Sequence, residues 1–296
     1  MKKIIIAIVV ILLIVLGVYL LVSTSSKKVT VDGDDVTNGL ATTTTQTENK
    51  DLTVIGNSVM GKPINAYHFG TGADEVIFVG GIHGGYAWNT SVLAYNVIDS
   101  LKSGTIAVPA NEKVTVIPVL NPDGLAQVTS LTGSFTSADV SLVDSKLTAG
   151  RFNGNNVDLN RNFDCDWQAN AKWQSKNVSG GTAAFSEPET LAIKNYIEKV
   201  NPKAVIVWYS AANGVFAANC HTGILPTTKS LLTAVSKASG YPAYAEFNFY
   251  ETTGDMTNWL AKIGVPSVSI LLSDHTNIDW SKNKLAVESV LKYFAK

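Results

Sequence analysis

The chain carries almost no net charge and almost no cysteine, and its most suggestive turn has no carboxylate. A formal charge of −1 across 296 residues offers no basic field for capturing nucleic acid, so no nucleic-acid partner is expected. Cys165 and Cys220 are the only cysteines. An even count is compatible with one disulfide in an oxidising compartment, and two buried free thiols are the other reading. A bridge between them would close a loop worth about 4 kcal/mol in the chain-entropy model. No internal repeat is visible. Residues 78 to 90 run Phe-Val-Gly-Gly-Ile-His-Gly-Gly-Tyr-Ala-Trp-Asn-Thr, and no Asp or Glu separates His83 from the helix expected after it. One imidazole alone does not make a metal centre.

What is present begins at the N-terminus. Lys2 and Lys3 precede an apolar run from Ile4 to Val22 without a charged residue. At ~1.5 Å per residue this run reaches across most of a bilayer's hydrocarbon layer. Residues 1–23 are therefore expected to be a signal anchor or a signal peptide. The run is longer than a secretory core of ~7 to 15 residues and shows no small-x-small cleavage site near Val22 to Ser26, which favours the uncleaved anchor. Lys27 and Lys28 on the far side blunt the charge asymmetry. Residues 24–50 are rich in Ser and Thr, including Thr42 to Thr45, and lack the apolar content that offsets ordering entropy; a disordered linker is expected. Residues 51–296 are then one domain outside the cytoplasm, on the cell membrane if the anchor stays and secreted if it is cleaved. A hydrophobic content of 46% supports a substantial core.

Apolar runs at 75–79, 113–120, 204–209 and 265–272 are rich in Val and Ile with little alternation, which predicts strands buried on both faces. Helices are predicted over 88–101, from a capping box at Ser186-Glu187-Pro188-Glu189 to about Val200, and over Trp280 to Phe294. Strands alternating with helices predict an α/β fold, a three-layer α/β/α sandwich around a mostly parallel mixed sheet, with ligands at the strand C-termini. His83, Asn121, Tyr209 and Leu272 fall near such ends. The weakly periodic stretch from Leu125 to Gly150 reads as a long surface excursion near the site.

Behind the His83 turn stand, in order, Asn121-Pro122-Asp123-Gly124; Arg151 followed by Val157-Asp158-Leu159-Asn160-Arg161-Asn162-Phe163; Tyr209-Ser210-Ala211-Ala212; and Tyr250 with Gly254 and Trp259 leading into Val268-Ser269-Ile270-Leu271-Leu272. These five segments resemble the carboxypeptidase A-like zinc carboxypeptidases over about residues 51–296, the Asp-Leu-Asn-Arg-Asn-Phe string being the most specific. The resemblance implies a carboxypeptidase-like fold. In an intact member it implies zinc held by two His and one Glu with an open water position, and a separate Glu that shuttles protons. By position His83 matches the first ligand, and Asp158 the carboxylate that holds its other ring nitrogen. The ligand Glu is expected where Ala87 stands, or Tyr86 in a register counted three residues after His83. The second ligand His is expected at Tyr209, and the proton-shuttling Glu at Leu271. A phenol with a pKa of about 10 is a poor zinc ligand at neutral pH, and leucine cannot transfer a proton.

The resemblance treats the substrate clamp differently. Asn160 and Arg161 match the residues that grip a C-terminal carboxylate, a task suited to a planar guanidinium. Arg151 matches the arginine that polarises the scissile carbonyl, Tyr250 the aromatic lid, and Thr257 the specificity position, where it is neither acidic nor basic. Structural readings stand beside these: Arg161 as an ion-pair partner of Asp158 or Asp164, His83 as a core histidine with Asp158 as its acceptor, and Tyr250 as a packed aromatic. His221 and His275, with Asp274 and Asp279, are candidates for a rebuilt metal site, although they lie off the ligand positions. The pattern leads to the expectation of a membrane-tethered, extracellular zinc-carboxypeptidase-like protein without turnover that retains a pocket for peptides with a free C-terminus. An active metallocarboxypeptidase with a relocated zinc site and a structural protein with a vestigial pocket are the alternatives.

Overall fold

Valine and isoleucine dominate the four runs that form the middle of the sheet, and branched side chains of that kind pack well on a pleated surface covered on both sides. The computed structural model describes residues 51–295; the expected anchor over 1–23 and linker over 24–50 lie outside them. Among the described residues no helix is long and apolar enough to cross a membrane. In chain order the strands are β1 (Leu52–Asn57), β2 (Pro63–Phe69), β3 (Asp74–Val79), β4 (Glu112–Ile117), β5 (Asn170–Trp173), β6 (Lys176–Ser179), β7 (Ala204–Ser210), β8 (Gly214–Ala217), β9 (Ala243–Tyr244) and β10 (Ser267–Leu272).

Eight of them pair in the order β1-β2-β4-β3-β7-β10-β8-β9, while β5 and β6 form a separate hairpin. The pairings β3/β4, β3/β7, β7/β10 and β8/β9 are parallel, and β1/β2, β2/β4 and β8/β10 antiparallel, so the sheet is mixed and mostly parallel. Alternate residues of each central strand feed two cores. Val76, Phe78, Ile206 and Trp208 pack with the helices Trp88–Lys102, Pro226–Ser239 and Trp280–Phe294 on one face. Ile77, Val79, Val205 and Val207 pack with Pro188–Val200 and Met256–Lys262 on the other. This is the expected three-layer α/β/α arrangement, and it aligns the C-terminal ends of β3, β7 and β10 at one edge.

Three local expectations need correction. The helix after Ser186 has Glu187 as its N-cap with no side-chain cap. The Ser186 hydroxyl instead donates to Glu187 Oε1 and accepts from Asn162 Nδ2, because Asn162 is buried beside it and needs acceptors. The 125–150 excursion is partly built into the fold: Phe135 and Val140 are buried in the core, and Asp144–Ala149 is helical. The hairpin β1/β2 and the short strands β8 and β9 carry no strong apolar run and were not foreseen.

Cys165 and Cys220 are joined in a disulfide. It ties the segment after Arg161 to the loop after β8, and Gly254 N donates to Cys165 O within the same knot. One buried group is less settled. Glu112, at the start of β4, is fully buried, and neither carboxyl oxygen has a hydrogen-bond partner. Burial, and then the neighbouring Asp74, raise its pKa to about 7. Above the ordinary carboxyl value of 4.5 the unfolded chain releases this proton while the folded chain keeps it, so stability falls as pH rises from there to about 7. Urea unfolding should therefore find Glu112→Gln more stable than the parent at pH 8, with the two converging at pH 4; equal midpoints at pH 8 would contradict this account.

Candidate functional site

A glycine turn after β3 sets the geometry. Gly84 has φ +40, and a Cβ there would lie 2.7 Å from the Gly124 carbonyl carbon and 2.8 Å from Gly150 O. The turn is pressed against both backbones, with Gly85 N donating to Gly150 O at 2.9 Å, and this contact brings His83 next to Arg151. Gly254 does similar work on the opposite side: at φ +63, a Cβ would stand 2.3 Å from Arg161 O. Only a residue without a side chain fits there.

Asp158 is fully buried and accepts from Arg151 Nε at 2.9 Å, with Arg151 Nη2 at 2.7 Å from the same oxygen. Its other oxygen accepts from Asn160 N at 3.1 Å and lies 3.4 Å from His83 Nε2. Burial opposes the carboxylate charge, but Arg151 and then His83 outweigh it and hold the group well below the usual range. Arg151 is also stacked, its guanidinium carbon 4.3 Å from the Trp173 ring centroid and 5.5 Å from that of Tyr86. His83 is 5% exposed, and neither ring nitrogen has a hydrogen-bond partner. Burial first, and then Arg151, lower its pKa to about 4, so the ring is neutral at physiological pH.

Arg161 is 1% exposed. Its Nε donates to Lys172 O at 2.8 Å and Nη1 to Asn160 O at 2.6 Å, but Nη2 is buried without a partner. The two carboxylates considered as its ion-pair partners are engaged elsewhere, Asp158 by Arg151 and Asp164 by Lys262. Asn160 is differently placed: its Nδ2 donates to Asp255 Oδ2 at 2.7 Å, and its Oδ1 accepts from Tyr209 OH at 3.0 Å and Met256 N at 3.1 Å. The amide expected to help grip a ligand is thus mostly consumed within the protein.

Ala87 is buried at the N-cap of helix Trp88–Lys102. Leu271 on β10 sits in register beside Tyr209 on β7. Tyr209 is 6% exposed, and burial, reinforced by Asp255, keeps its hydroxyl protonated far above the usual range. Its ring lies 5.8 Å from that of His83. The Ser210–Ala211 peptide that follows is cis. These groups converge on a pocket of about 260 Å³ whose walls include His83, Arg151, Asn160, Arg161, Tyr209, Tyr250, Thr257 and Leu271. Tyr250 packs edge-on to Phe247 with centroids 5.0 Å apart, and Thr257 donates to Asp255 Oδ1 at 2.6 Å.

The candidates for a rebuilt metal site do not converge. His221 is exposed and bound to Asp166 at 2.8 Å. Asp274 accepts from Thr276 N and Asn277 N of its own loop, and Asp279 holds Ser273 and Tyr241. His275 does line the pocket, packed on Tyr86 at 4.6 Å. Among the described residues, the one group of three or more His, Cys, Asp or Glu whose donor atoms lie within 4.8 Å of one another is Cys165, Cys220 and His221, and its sulfurs are bonded to each other. Around His83 the single carboxylate is taken by Arg151. The donors present do not fit a zinc ion held by two His and a Glu.

Sequence reasoning missed Asp255 and Trp173 as pocket residues, and it raised Tyr86 and His275, which also line the pocket, only as metal-site positions. The Gly-Asp step before Met256 was a visible signal, since Asp255 is the N-cap of helix Met256–Lys262 and accepts from Asn258 N. The stacking of Trp173 on Arg151 joins residues of separate segments and had no sequence signal.

A mixed α/β/α sheet with His83, Tyr209 and Leu271 at the ends of three parallel strands defines a protein of the metallocarboxypeptidase fold. The zinc carboxypeptidase family profile (peptidase M14) matches residues 40–285, and the chain belongs to that family. It is 23% identical over 219 residues to gamma-D-glutamyl-L-diamino acid endopeptidase 1 of Lysinibacillus sphaericus, covering 67% of this chain and 54% of that protein. The chain thus spans about half the length of this curated relative. Among solved structures it is similar to murein-tripeptide amidase MpaA from Escherichia coli O157, with a TM-score of 0.57 and 20% identity over 82% of this chain and 92% of the other. It is also similar to thrombin activatable fibrinolysis inhibitor, with a TM-score of 0.62 and 16% identity over 82% and 69%.

Removing the Asp158 charge strands a buried guanidinium. Asp158→Asn is therefore expected to cost about 3–5 kcal/mol of stability, measured by denaturant unfolding at pH 7. A loss under about 1 kcal/mol, the scale of an exposed pair, would show that the Arg151–Asp158 pair does not organise the site.

Proposed function

We propose that this protein is a membrane-tethered, extracellular member of the family that binds peptides through their C-terminal carboxylate and does not hydrolyse them. The observation that carries this reading is Arg161: a buried guanidinium on the pocket wall with Nη2 unpartnered. A buried donor left unsatisfied costs about 1–3 kcal/mol, more when charged, and a ligand carboxylate is the chemistry that relieves it. Tyr250, packed on Phe247, and Trp173 line the same pocket. Ala87, Tyr209 and Leu271 stand where the family places two metal ligands and a proton shuttle, so the site has no evident means of activating water.

The tether rests on the uncharged apolar run from Ile4 to Val22 and the polar stretch behind it. An origin of the ligand in cell-wall peptides is supported by the names of two similar proteins, one an endopeptidase for a gamma-D-glutamyl-L-diamino acid bond and one a murein-tripeptide amidase. Titration calorimetry with short peptides and their C-terminally amidated forms tests the reading. The acids are expected to bind at least tenfold more tightly, with the difference abolished in Arg161→Met. Equal binding of acid and amide by the parent would end it.

A further inference from the structure

His83 stands buried on the pocket wall, and among the described residues its Nδ1 has no partner. Both ring nitrogens are buried; Nε2 has only the long 3.4 Å approach to Asp158, and Nδ1 has no partner, a costly state for a polar group. The 3.4 Å approach of Nε2 to the Asp158 carboxylate places the ring hydrogen on Nε2, facing the negative charge, and leaves Nδ1 with a free lone pair. That lone pair needs a donor. Of the donors on residues lining the same pocket, Tyr209 OH points to Asn160 Oδ1, Arg151 Nε to Asp158, and Arg161 Nε and Nη1 to backbone carbonyls, while Arg161 Nη2 is itself unpartnered. His83 lines the same pocket as Arg161, and Arg161 is near enough for its charge to act on the imidazole. One pocket therefore presents an unused cationic donor and an unused neutral acceptor, a pair matched by a carboxylate and an N–H on one ligand.

We propose that His83 Nδ1 accepts a hydrogen bond from the N–H of the terminal amide of the peptide whose carboxylate Arg161 holds, so that the imidazole reads an amide hydrogen at the position where the family holds an ion. The inference rests on the carboxylate-binding reading above and adds to it the part of the ligand that selects a peptide over other carboxylates. A neutral imidazole with one lone pair accepts from an amide N–H and repels the ester oxygen that would replace it, whereas a zinc ion would prefer the reverse contact, with a carbonyl oxygen.

The test compares acetyl-alanyl-phenylalanine, chosen for the aromatic wall, with its ester analogue acetyl-alanyl-phenyllactate, in which the terminal N–H is replaced by oxygen, and with the amidated peptide. Each is titrated into the full chain and into His83→Ala by calorimetry, with the parent also followed by ¹⁵N NMR of histidine-labelled protein. The parent is expected to bind the peptide about tenfold more tightly than the ester, His83→Ala to bind the two equally, and Nδ1 of His83 to shift on adding peptide but not ester. Because the ester comparison is made in the unmodified protein, it stands even if the variant folds poorly. Equal binding of peptide and ester by the parent, with the amidated form still weak, overturns the role of His83 and leaves carboxylate recognition standing. Equal or undetectable binding of acid and amide overturns both.

Discussion

Two guanidinium groups, Arg151 and Arg161, line the pocket; the buried Asp158 pairs with Arg151 alone, and the pocket's own carboxylate, Asp255, is taken by Asn160, Thr257 and Asn258. Arg151 claims Asp158 through two nitrogens on a single oxygen, at 2.9 and 2.7 Å, and the rings of Trp173 and Tyr86 hold the guanidinium in that place. Buried charges are tolerated when paired and hydrogen-bonded. Arg151 meets that condition through its ion pair with Asp158; among the described residues Arg161 has no such ion pair, and its Nη2 is unpartnered. The proposed recognition of a ligand carboxylate rests on this difference, a buried cation left without a partner anion on the pocket wall.

The Asp158 carboxylate also governs what His83 can do. Facing Asp158 and buried, the ring is neutral at physiological pH, and among the described residues it belongs to no group of three or more metal-binding side chains. Tyr209, where the resemblance implies a second histidine, is bound into the protein's own hydrogen bonding. Its hydroxyl donates to Asn160, which donates in turn to Asp255, so a chain of hydrogen bonds ties β7 to the start of helix Met256–Lys262 through the middle of the site. Leu271, in register beside Tyr209, adds an apolar side chain to the same pocket wall. Arg151, in turn, is bound tightly enough to Asp158 that it serves the architecture first.

Much of this was legible in the sequence where the signal was local. The central strands declared themselves by unbroken Val and Ile runs, and Trp280–Phe294 matched its helical pattern to the residue. The assignment of two ligand places and a proton-shuttle place to Ala87, Tyr209 and Leu271 rests on motif order alone. Partner choice could not be read from the sequence. Asn160 reads as a free ligand-gripping amide until folding brings Asp255, 95 residues away, to its side chain. Arg161 had two nearby aspartates as plausible partners, and only the structure shows both occupied by other cations. The Ser186 capping box failed for a similar reason: a buried asparagine from another segment needed the hydroxyl more than the helix did.

The central claim is that the site grips a carboxylate without a metal. Elemental analysis of the full chain, purified without chelators and dialysed against zinc-free buffer, tests it most directly. The account predicts zinc far below stoichiometric and unchanged in His83→Ala. About one zinc per chain, lost in His83→Ala and accompanied by chelator-sensitive release of C-terminal residues, would contradict it and show an active metallocarboxypeptidase instead.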